Sequence, residues 1–110
     1  MTVDQILQQE IRDSEIWLSR EKDESTYKRD LKKRIELISW VLENMKNTDV
    51  EICSLIECRM NETIQEIMKL DSIFESDILD SEIRILDWIF YQACKDQQKN
   101  WERSLLRYHE

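Results

Sequence analysis

The sequence predicts an all-α protein, an irregular four-helix bundle with a long C-terminal helix, contained in a single helical domain over residues 1–110. Three observations carry this reading. The chain has no glycine and no proline in 110 residues. It therefore lacks the residues that supply positive-φ hairpin turns and phosphate loops and that punctuate irregular backbone. Apolar residues recur at helical spacing over four stretches. Charged residues make up 36% of the chain, above the roughly 25% of an average globular protein, as suits thin helices that each show water a wide face.

The first helix is expected to start at Thr2, because Thr2-Val3-Asp4-Gln5 fits a capping box with an acidic first turn. Val3, Leu7, Ile11 and Leu18 form its apolar stripe, widened by Ile6 and Trp17, and the charged run Glu21–Ser25 ends it. The second helix is expected from about Thr26 to Lys46, with Leu31, Ile35, Ile38, Leu42 and Met45 as its stripe, joined by Leu37, Trp40 and Val41. Its first half carries Lys28, Arg29, Lys32, Lys33 and Arg34, the densest basic cluster in the chain.

Thr48-Asp49-Val50-Glu51 reads as a second capping box that opens the third helix. Ile52, Ile56, Thr63, Ile67, Leu70 and Phe74 follow at helical spacing, widened by Leu55, Met60 and Ile64. Residues 75–80 read as a connection. The fourth helix is then expected to start at Asp80 or Ser81 and to run to the C-terminus, roughly 45 Å at 1.5 Å per residue. Ile83, Leu86, Phe90, Cys94, Trp101, Leu105 and Tyr108 track one of its faces.

A net charge of −8 argues against a protein that blankets phosphates, because that affinity comes from cations neutralising them. Direct nucleic-acid binding is not expected; solubility or a basic protein partner is. No apolar run approaches membrane-spanning length, and the N-terminus lacks the pattern of a secretory signal, so an intracellular protein is expected.

Cys53, Cys58 and Cys94 are expected as reduced, buried thiols. A zinc site would want C-x₂₋₄-C pairs or histidines; Cys53 and Cys58 are spaced x₄ but fall on different helical faces, and His109, the one histidine, sits at the chain end. No metal or cofactor is expected. No serine or cysteine lies in a nucleophile-elbow pattern and no Glu-x-x-His motif exists, so no enzyme is expected. Asn61-Glu62-Thr63 matches the glycosylation sequon inside a helical stretch and reads as chance.

What remains is surface character. The basic cluster reads first as a solvated helical face with acidic neighbours, and second as a contact for an acidic partner. Four tryptophans, three tyrosines and two phenylalanines are many for one small core. Aromatics not enclosed would form a partner-facing patch, since Trp, Tyr and Arg are typical interface anchors.

Several stretches resemble the helical A domain of the GINS replication proteins, nearest to the Sld-type subunit. They are Ile16-Trp17-Leu18-Ser19-Arg20-Glu21-Lys22, the run from Arg34 to Met45, the run from Ile52 to Met60, and Asp80-Ser81-Glu82-Ile83 with the aromatic helix after it. The neighbours of Arg59 are less basic than in that family, Glu82 follows Ser81 at once, and the family's small β-rich B domain has no counterpart here. The resemblance implies a non-catalytic, nuclear scaffold in a hetero-oligomer of helical subunits that joins the MCM ring to a Cdc-type partner. Its interface or core residues would be Trp17, Trp40, Arg59, Trp88, Tyr91, Trp101, Leu105 and Tyr108. The alternative is an unrelated intracellular helical adaptor or regulatory module, monomeric or homodimeric.

Overall fold

The computed structural model describes residues 2–70 and 73–94. The described residues form four α-helices and no strand: α1 (Val3–Arg20), α2 (Thr26–Met45), α3 (Ile52–Lys69) and α4 (Ile73–Ala93). No described residue has positive φ, which suits a chain without glycine. The chain divides into two compact units, Met1–Val50 and Glu51–Glu110. Each holds one pair of helices.

In the first unit, the expected capping box is present at Thr2. Its hydroxyl accepts from the Gln5 amide at 3.2 Å, and the Gln5 side chain accepts from the Thr2 amide at 3.0 Å. Two orphan amide donors are thereby satisfied. Ser25 caps α2, its hydroxyl accepting from the Lys28 amide at 3.1 Å. The short link at 21–25 turns the chain back into an αα-hairpin, and Arg34 of α2 reaches Glu10 of α1 at 3.0 Å. Leu7 and Ser14 are the buried residues of α1; Leu31, Leu37, Ile38 and Val41 are those of α2. Val3, Ile11 and Leu18, expected beside Leu7, are only partly covered, and Trp17 is half exposed rather than part of the seam. The buried stripe of α1 passes through Ser14, a small polar residue that hydrophobic periodicity passes over.

The start of α3 differs from expectation. Thr48 is not its cap. The Asn47 side chain accepts from the Asp49 amide at 3.0 Å and the Asn47 carbonyl accepts from the Val50 amide at 3.1 Å, so Asn47–Val50 is spent on a turn. Glu51 becomes the N-cap, and its carboxylate accepts from the amides of Cys53 at 3.3 Å and Ser54 at 2.6 Å.

The second correction concerns α4, which begins at Ile73 rather than at Asp80 or Ser81. The polar run at 75–80 contains no helix breaker, and Leu79 stands in register with Ile83, Leu86 and Phe90. Arg84 pairs with Asp80 one turn back at 2.9 Å. The α-helix ends at Ala93. The expected extension to the C-terminus, with Trp101, Leu105, Tyr108 and His109, lies outside the described residues.

The seam of this hairpin is richer than that of the first. Cys53, Ile56, Met60, Thr63, Ile64 and Ile67 are buried on α3. They recur at the i, i+3, i+4, i+7 spacing of an amphipathic helix. On the other side Glu82, Ile83, Ile85, Leu86, Ile89, Phe90 and Cys94 are buried. Full burial of a side chain such as Phe90 or Ile56 contributes about 1.5–3 kcal/mol.

The cysteines correct the expectation of reduced thiols. Cys53, in the first turn of α3, and Cys94, just beyond α4, form a disulfide with a Cα–Cα distance of 5.9 Å. Cys58 is the free cysteine, and it is exposed rather than buried. Nothing in the spacing of residues 53 and 94 announces their contact; the hairpin creates it.

Candidate interaction surface

The outer face of α1 carries the first candidate surface. Trp17 lies beside the buried stripe and not in it, so its ring is 50% exposed, and Ile16 next to it is 49% exposed. Arg20, one helical turn on, lies over the indole at 5.1 Å from the ring centroid. At an exposed site that stacking is worth about 0.5–1 kcal/mol, which favours the ring and the cation standing together. Tyr27, at the start of α2, is 48% exposed.

The basic cluster is heavily paired. Glu24 meets Lys28 at 3.1 Å and Lys32 at 3.9 Å; Arg29 meets Asp30 at 3.2 Å, Lys33 meets Glu36 at 3.4 Å and Arg34 meets Glu10 at 3.0 Å. The Lys28 hydrogen bond, then the charges of Lys28 and Lys32, hold the Glu24 carboxyl below the ordinary glutamate range. This arrangement favours the solvated-face reading: the cations already have carboxylate neighbours, and a phosphate ligand would have to displace them.

In the second unit, Arg59 is committed inward. Its guanidinium donates to Glu82 Oε1 at 2.8 Å, and the Thr63 hydroxyl lies 3.0 Å from both Glu82 Oε2 and the Arg59 carbonyl. The Glu82 side chain is 8% exposed and that of Arg59 33%. A carboxylate buried this deeply is tolerated because both oxygens have donors. Trp40 and Trp88 are partly covered, while Tyr91 is 45% exposed and Met68 67% exposed. The sequence singled out Arg59 and Tyr91 but not Glu82, whose burial only the hairpin register produces; Ile16 and Met68 were missed because periodicity alone does not tell an exposed apolar residue from a buried one.

A shallow open groove of about 460 Å³ runs along the outer face of α3, lined by Ser54, Glu57, Cys58, Asn61, Glu62 and Gln65. The Cys58 thiol stands 3.6 Å from Glu62 Oε1. The Glu62 charge, and then its hydrogen bond, push the thiol pKa up, which opposes the thiolate a nucleophile needs. In the sequon, Asn61 is exposed and the Thr63 side chain is buried.

Compared with protein-family models, curated proteins and solved structures, the chain matches none. Among the described residues, no group of three or more His, Cys, Asp or Glu side chains is placed to hold a metal ion. No helix among them is long and apolar enough to cross a membrane.

Proposed function

We propose that the protein is a non-catalytic, helical protein–protein interaction module. The observation that carries this reading is the exposed Ile16–Trp17 pair with Arg20 stacked on the indole. Burying Trp17 against a partner would remove a large apolar surface from water at small entropic cost, because the side chain has only two rotatable bonds. The paired state of the basic cluster favours a protein partner over a nucleic-acid backbone, and the net charge favours a partner with a basic face.

The finer form of the proposal comes from the resemblance to GINS subunits: a nuclear scaffold within a hetero-oligomer of helical subunits. A self-associating adaptor is its counterpart. One experiment addresses both levels. The tagged protein and its Trp17→Ala variant are used to capture partners from native extract, and bound chains are identified by mass spectrometry. Loss of partners by at least about tenfold in the variant is expected for an anchor residue, with other small helical subunits and MCM proteins recovered if the replication form holds. Equal recovery by both proteins removes Trp17 as the anchor. Capture of the same chain only, confirmed by sizing, replaces the scaffold with the self-associating form.

A further inference from the structure

We propose that Cys53 and Cys94 form a redox latch at the open end of the α3–α4 hairpin, whose state sets the order of the turn that carries Tyr91. The inference goes beyond the interaction role and does not depend on it.

Three observations support it. The disulfide joins the first turn of α3 to the residue that follows α4, across 41 positions of sequence, so it ties the start of one helix of the hairpin to the end of the other. Both cysteines are buried, at 7% and 4% exposure. They lie in the same seam as Ile56, Met60, Leu86 and Phe90, each fully buried. A free cysteine behaves as a small apolar residue. The opened latch therefore leaves two small apolar thiols that fit the same seam. Because both sulfurs are buried, a small thiol reaches them through local opening at the end of α4 rather than through global unfolding.

The third observation is that Cys58 is poorly placed to take the place of Cys94. Cys58 sits five positions after Cys53 on the same helix, an axial rise of about 7.5 Å, beyond the roughly 7 Å Cα separation a disulfide can span. Glu62 also holds Cys58 in the thiol form, which slows its attack on the latch.

Opening acts on the end of α4. Among the described residues, the hydrogen bond nearest that end runs from the Cys94 amide to the Phe90 carbonyl at 2.7 Å, and a helix end without a covalent tie frays readily. Tyr91, 45% exposed, lies in that turn.

Closing balances with a small disulfide such as oxidised glutathione as oxidant. One protein thiolate attacks a glutathione sulfur and displaces a glutathione thiolate, which takes up a proton. The second protein thiolate then displaces the second glutathione. Two protein thiols are oxidised and one disulfide becomes two thiols.

The test uses the full chain treated with oxidised glutathione or with dithiothreitol. Peptide mapping after alkylation in denaturant is expected to leave Cys53 and Cys94 unmodified in the first sample and modified in the second. Amide hydrogen exchange at residues 91–94 is expected to be about tenfold or more faster in the reduced protein, with exchange in α1 and α2 unchanged. Cys53→Ala should match the reduced protein under both treatments, and Cys58→Ala should keep the full difference. Alkylation of Cys53 and Cys94 after glutathione treatment would overturn the latch. So would equal exchange in the two states, a collapse of the whole hairpin on reduction, or loss of the difference in Cys58→Ala.

Discussion

The two hairpins of this protein handle charge in opposite ways. In α1–α2 the ion pairs lie at the surface, and the link between helices, Arg34 with Glu10, is about a third exposed on both sides. In α3–α4 the pair between helices has its acid buried at 8% exposure and is completed by the Thr63 hydroxyl. The first arrangement is adjustable and contributes little. The second costs desolvation and is tolerated only because each buried oxygen has a donor. The same residue types thus serve as a solvated face in one hairpin and as an internal fastening in the other.

The largest effect that could break this comparison is Arg59→Ala. It strands the Glu82 carboxylate with the Thr63 hydroxyl alone, and a loss of about 3 kcal/mol is expected in urea unfolding. Replacing the pair together, Arg59→Met with Glu82→Leu, should recover most of that loss. The buried charge is then gone, and Thr63 keeps the Arg59 backbone carbonyl as its acceptor. If the double variant is as unstable as the single one, the network is not an isolated fastening.

Arg34→Ala is expected to cost less than about 1 kcal/mol in the same measurement, since both partners are partly hydrated. A loss matching that of Arg59→Ala would erase the distinction between the hairpins.

The smallest effect concerns the start of α3. Hydrogen bonding from Ser54, through its side chain and then its backbone amide, holds the Glu51 carboxyl below the ordinary glutamate range. Because the folded pKa is the depressed one, this contribution is present above the unfolded value of about 4.3. It is lost as pH falls through the lower folded value. An NMR titration should find the Glu51 midpoint below that of an unstructured glutamate, with exchange of the Cys53 and Ser54 amides rising as it protonates. A midpoint at or above the ordinary value would remove Glu51 as the cap.

Much of the local structure was legible in the residue order. Thr2 and Gln5 specify the start of α1 through contacts three residues apart, and the α3 stripe from Ile56 to Ile67 follows from periodicity. These features depend on neighbours within one or two turns, which a linear reading contains. Two local readings failed for physical reasons. Asn47 competes for the Thr48–Val50 backbone with a turn of its own, and the polar run before Asp80 stays helical because nothing in it breaks a helix while Leu79 continues the apolar register.

The sequence by itself determined that this chain is helical, where α1 and α2 begin, and that its net charge is strongly negative. Those properties come from composition, spacing and capping. Only the tertiary structure decided that Cys53 meets Cys94, that Glu82 is internal, and that Trp17 faces outward while Ser14 takes the buried place. Each depends on which residues of one helix lie opposite which residues of another, a register set by the packing of the whole hairpin and not by any stretch read alone.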